Sequence, residues 1–236
     1  MNPDRSKQNE FAHARLQGLR AAIERYPHEA DAILFAFDAH RDQQYGDAPY
    51  ILHLHDVRDV LASHPSVPEP TKLAAWLHDV IEDCEVEPVT GEYDTYYPTT
   101  YASEILKRFG KDVFRLVETV TATGGNHKTR AAHTVAALRQ HPEAVSLKLA
   151  DRIANIEACI RDKSPKLEMY RKEQPLFDSL RLIGDDAARA LWPRLDAAWA
   201  SAPAPEPSIC RVHDADDPIP GRICGRQLPC KDHTPR

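Results

Sequence analysis

Trp76-Leu77-His78-Asp79-Val80-Ile81-Glu82-Asp83 sets a His-Asp pair and a Glu-Asp pair into an apolar stretch that starts at Leu73. Its periodicity predicts one amphipathic helix over about 70–83. At about 3.6 residues per turn, His78 and Glu82 share a face, and Asp79 lies beside Glu82 and Asp83. Burying that face without a partner for its polar groups is costly. A bound cation would offset the cost if side chains from elsewhere in the chain reach the same point.

Almost every other segment also reads as helix, with apolar residues at three- and four-residue spacings. Helices are expected over about 8–25, 29–42, 51–63, 100–109, 111–122, 129–140, 142–162, 166–173, 175–183 and 185–200, with Gly110 as a stop and Pro70 in a first helical turn. A turn is expected at Tyr45-Gly46-Asp47-Ala48-Pro49. His53 opens the third helix. Asp151 lies in Lys148-Leu-Ala-Asp-Arg-Ile-Ala-Asn155, where the neighbouring apolar residues read as core. His53, His78, Asp79 and Asp151 make a mixed nitrogen and oxygen set. Such a set suits a divalent first-row metal with open positions for water, and helix-borne ligands converging inside a bundle are a known solution.

Composition narrows the class. The charged fraction of 28% and hydrophobic fraction of 42% are those of an ordinary globular protein. The net charge of −6 argues against a nucleic-acid binder. No apolar run approaches the roughly 20 residues of a membrane span, and the N-terminus lacks a signal-peptide core. A cytoplasmic protein is expected. There the five cysteines read as thiols or metal ligands rather than disulfides, and Cys84 and Cys159 read as buried thiols.

Three stretches carry a resemblance. Ala48-Pro-Tyr-Ile-Leu-His53, Leu77-His-Asp-Val-Ile-Glu-Asp83 and Lys148-Leu-Ala-Asp-Arg-Ile-Ala-Asn155 resemble the motifs of the HD-superfamily phosphohydrolases. More narrowly, they resemble the hydrolase domain of the RelA/SpoT homologues and the small alarmone hydrolases. The resemblance implies an all-α HD-type helical bundle. It implies that His53, His78, Asp79 and Asp151 bind a metal, typically manganese (Mn2+). It further implies that Glu82 and Asp83 position and activate water, that Asn155 lies in the substrate pocket, and that the reaction removes a 3′-pyrophosphate from a nucleotide alarmone. The partner would be a small nucleotide, and the protein would work in functional pairing with an alarmone synthetase. Arg41, Lys128, Arg130, Lys148 and Arg152 are the candidate phosphate-neutralising cations. Another HD-type nucleotide phosphohydrolase, such as a nucleoside monophosphatase, or a non-catalytic nucleotide-sensing module would use the same residues differently.

One segment departs from the family. Its members commonly carry an Arg-Lys pair before the proline, and those residues help hold a guanine base. Here the stretch is Ala39-His-Arg-Asp-Gln-Gln-Tyr-Gly-Asp47, without that pair. Either a guanosine or an adenosine alarmone therefore fits the motifs. The long loop after Asp83 carries Tyr96 and Tyr97, which are candidates for stacking on the base.

Past the Pro-rich linker of residues 201–209, the tail of residues 210–236 holds Cys210-x-x-His213, Cys224 and Cys230-x-x-His233. Its spacing resembles a zinc knuckle. Cys210, His213, Cys224 and Cys230 are the favoured zinc (Zn2+) ligands, with His233 as the competitor. A segment this short has little core of its own, so a metal would be its main source of order. The expected organisation is an HD domain over 1–200, the linker, and this tail.

Overall fold

A computed structural model of the chain describes residues 3–84, 100–122, 127–205, 209–211 and 223–227. The chain divides into two units, Met1–Ser201 and Ala202–Arg236. The first is all-α. Its helices are α1 (Pro3–Arg25), α2 (Ala30–His40), α3 (Tyr50–Ala62), α4 (Glu69–Leu77), α5 (Val80–Asp83), α6 (Tyr101–Val120), α7 (His127–Gln140), α8 (Val145–Arg161), α9 (Leu167–Asp178) and α10 (Asp186–Ser201). Two-residue strands β1 (Gln44–Tyr45) and β2 (Ala48–Pro49) pair antiparallel between α2 and α3. Among the described residues, no helix is long and apolar enough to cross a membrane.

The core is built around α8. Val145, Leu147, Leu149, Ala150, Ile153, Ala154 and Ile156 are all buried. Ser146, Asp151 and Arg152 are buried with them, so α8 is enclosed on most sides, and it packs against α3, α4 and α10. That position carries Asp151 to the centre of the bundle. The α3 helix follows Pro49, whose extended backbone precedes the first helical turn. It buries Leu54, Val57, Val60 and Leu61 beside His53.

The structure differs from the expected helices in two places. The stretch of residues 70–83 is not one helix. The α4 helix ends at Leu77, His78 and Asp79 form a turn, and α5 restarts at Val80. The break has a geometric reason. Adjacent residues on a regular helix point about 100° apart, so His78 and Asp79 meet at one point only if the backbone departs from helical values. Asp79 does so, at φ −100° and ψ −4°. The break expected between 173 and 175 is absent, and α9 runs through Pro175. Arg152 of α8 holds both sides of that proline. Its guanidinium bonds the Tyr170 carbonyl, Glu173 and Gln174 and lies 4.1 Å from the Phe177 ring centroid. Packing here overrides the local preference. The turn expected over 45–49 is present and closes the β1–β2 hairpin, with Gly46 in the left-handed region at φ +61° that favours glycine.

Gly110 does interrupt its helix, at φ 88° and ψ 173°. In the second unit, β3 (Ile209–Arg211) and β4 (Ile223–Gln227) form an antiparallel pair. The backbones of Cys210 and Cys224 thus lie on facing strands.

Candidate metal centre

Three elements deliver the central side chains. The α3 helix supplies His53, the break after α4 supplies His78 and Asp79, and α8 supplies Asp151. His53, His78 and Asp151 are buried, and one ligand atom from each lies within 4.8 Å of the others. Asp79 joins them: its Oδ2 is 2.9 Å from His78 Nε2 and 3.7 Å from His53 Nε2. Asp151 Oδ1 is 3.5 Å from His53 Nε2 and 3.7 Å from His78 Nε2.

The hydrogen bonds around this cluster leave a place for a cation. His78 Nδ1 is 2.9 Å from the Ala75 carbonyl, which can only accept, so Nδ1 carries the proton. In the neutral ring, Nε2 then points a lone pair into the cluster, and it has no hydrogen-bond partner despite the nearby carboxylate. A lone pair facing carboxylate oxygens in the interior is repulsive. Either a proton or a metal ion relieves it, and the donor set fits a divalent ion.

The charges follow from the same geometry. Burial disfavours charge on His78, but the negative charges of the Asp79 and Asp151 carboxylates outweigh it and push the pKa up to about 10. His53 is raised too, with Asp151 and Asp79 prevailing over burial. Burial likewise opposes ionisation of Asp79 and Asp151. His78 beside the first and Lys148 beside the second hold both well below the usual carboxylate range.

A cavity of about 450 Å³ opens onto the cluster. Glu82, Asp83, Arg130, Lys148 and Asn155 line it together with His53, Asp79 and Asp151. Glu82 accepts the Ala122 N–H at 2.8 Å and an Arg130 N–H at 3.1 Å. Burial still raises its pKa above the ordinary value, outweighing those donors and Lys148. Asp83 accepts from Gln43 Nε2 at 2.8 Å. Lys148 Nζ lies 2.8 Å from Asp151 Oδ2. Arg152 reaches the cavity wall, but its guanidinium is committed to the acceptors on α9. Arg41 is not part of this lining. It borders a separate small cleft beside His40 and Tyr50. The side chain of Lys128 and the residues Tyr96, Tyr97, His213, Cys230 and His233 lie outside the described residues.

Three contributors are absent from the sequence reading's candidates. Tyr50, inside the Pro-Tyr-Ile motif, donates its hydroxyl to Asp79 Oδ2 at 2.6 Å. Tyr45 stacks on His53, with centroids 4.5 Å apart and planes 10° apart. Lys166 lines the cavity from the turn ahead of α9. The motif carried a signal for Tyr50. Nothing local marked the other two.

Residues 32–181 match the HD domain family. The chain belongs to that family. Its HD domain is also similar to a protein of Aquifex aeolicus (strain VF5) named guanosine-3′,5′-bis(diphosphate) 3′-pyrophosphohydrolase. The two are 31% identical over 167 residues, which cover 66% of this chain and 22% of the relative. The chain thus matches about a fifth of the length of that protein.

Proposed function

We propose that this HD domain is a manganese-dependent hydrolase that removes the 3′-pyrophosphate from a guanosine or adenosine alarmone. The observation that carries the reading is one cavity lined by His53, Asp79 and Asp151 of the cluster, by Glu82 and Asp83, and by Arg130, Lys148 and Lys166. The name of the Aquifex relative supports the substrate class.

In this reading His53, His78, Asp79 and Asp151 hold the ion. When bound, such an ion acidifies a water molecule and polarises a phosphoryl oxygen. Glu82, a carboxylate made more basic by burial, accepts the proton of the attacking water. Asp83, fixed by Gln43, orients that water. The water oxygen bonds to the phosphorus attached to O3′, the P–O3′ bond breaks, and O3′ leaves with a proton as the free hydroxyl. Lys148, Arg130 and Lys166 offset the charge of the departing pyrophosphate.

The test is a manganese-supplemented assay of guanosine and adenosine 3′-pyrophosphates with product analysis, using Asp79→Ala as the blank. Pyrophosphate release by the wild type alone is the expected result. Orthophosphate release from monophosphates, or no turnover of any nucleotide, would sink the reading.

A further inference from the structure

Tyr45 lies in β1, between α2 and α3, and its contacts face the metal centre. Its hydroxyl donates to Asn155 Oδ1 at 2.7 Å. Asn155 Nδ2 donates in turn to the Asp151 backbone carbonyl at 3.0 Å and to the Asp151 carboxylate. The amide orientation follows from chemistry: a backbone carbonyl can only accept, so Nδ2 faces Asp151 and Oδ1 faces the phenol. Both ends of the Asn155 side chain are thereby engaged within the protein. The second Asp151 oxygen is held by Lys148. The carboxylate is fixed on both sides.

Asp79 is treated the same way by Tyr50, whose hydroxyl bonds it directly. Tyr45 and Tyr50 also touch edge to face, with centroids 6.1 Å apart. The β1–β2 hairpin makes the Tyr45 contact possible. Gly46 takes the positive φ of the turn, and Tyr50 N–H bonds the Gln43 carbonyl at 3.1 Å to close the segment onto α3.

We infer that Tyr45 is a positioning residue for the metal ligand Asp151, acting through Asn155, so that the β1–β2 hairpin orients the metal centre. The inference rests on the metal-centre reading above. Partners behind a ligand fix its direction and raise its affinity, and their loss costs about 10–100-fold in metal affinity or activity.

The test uses the full chain freed of metal. Tyr45→Phe keeps the ring on His53 and removes only the hydroxyl. Mn2+ binding is measured by calorimetry without nucleotide, and the visible spectrum of the Co2+-loaded protein reports ligand geometry. The expected results are Mn2+ binding weakened about 10-fold or more and shifted Co2+ bands. At saturating Mn2+, the nucleotide KM should stay within about twofold of the wild type. Asn155→Ala should weaken Mn2+ binding similarly, and the double variant should be no worse than the weaker single variant, because both act along one path. An unchanged Mn2+ affinity in Tyr45→Phe overturns the inference, with or without a raised KM, and so does full additivity in the double variant. Weakened metal binding without turnover of any alarmone leaves this inference standing and removes the substrate reading. A wild type that binds no divalent metal removes both.

Discussion

Between the turn ahead of α2 and the α3 helix lies a buried ion pair whose removal has a calculable cost. Glu29 and Arg58 are each 5% exposed. Glu29 accepts Arg58 Nε at 2.8 Å, Arg58 Nη2 at 2.7 Å and the Trp76 indole N–H at 2.7 Å. The pair therefore joins α3 to the end of α4, just ahead of His78. Glu29→Gln keeps the shape but leaves the guanidinium buried without its countercharge. Breaking one side of a buried pair costs about 3–5 kcal/mol. In a unit of this size each kcal/mol lowers Tm by about 2–4 °C, so a fall of roughly 6–20 °C is expected. Thermal unfolding of the metal-free protein by circular dichroism measures it, since bound metal would mask part of the change. Glu29→Gln combined with Arg58→Met removes both charges and should recover most of the loss. A single variant within about 1 kcal/mol of the wild type, or a double variant no better than the single, would refute the reasoning.

Further outcomes can be checked. Glu82→Gln should abolish turnover while retaining Mn2+ and nucleotide binding; Arg130→Ala, which removes a cation that lowers the Glu82 pKa, should move the acid limb of the rate profile to higher pH. With its pKa raised from 6.5 to about 10, His78 contributes stability to the metal-free protein that is full below pH 6.5 and lost as pH rises through about 10. An incoming metal ion must displace that proton, so Mn2+ affinity should rise up to about tenfold per pH unit in this window, and calorimetry in buffers of different ionisation enthalpy should detect proton release; pH-independent binding would contradict the assignment. We also propose that the tail binds zinc: the purified chain should carry it, Cys224→Ser should lose it without changing Mn2+ affinity at the helical unit, and a zinc-free tail would end the idea.

The helical architecture was legible because nearly all of its elements bury an apolar face at helical spacing. The convergence of His53, His78, Asp79 and Asp151 could be read from motifs whose residues carry metal-binding chemistry. The placement of Asn155 beside Asp151 followed from four-residue spacing alone, and their hydrogen bonds match it. What escaped was set by tertiary contacts. Pro175 reads as a break, and only the clamp by Arg152 from α8 explains its place inside α9. Tyr45 reads as a turn residue, and its partner Asn155 is 110 positions away. The break at His78–Asp79 is invisible to periodicity because the force behind it is the convergence of two adjacent side chains.

That break limits how the centre can be rebuilt elsewhere. A designer grafting these ligands onto an uninterrupted helical scaffold cannot copy the His-Asp dipeptide, since a straight helix would splay the two side chains apart. The transplant needs the aspartate three or four positions from the histidine, or a host whose helix already stops and restarts at that point. In this chain the short α5 beyond the interruption also sets the heading of Glu82, so straightening the backbone would re-aim Glu82 along with Asp79.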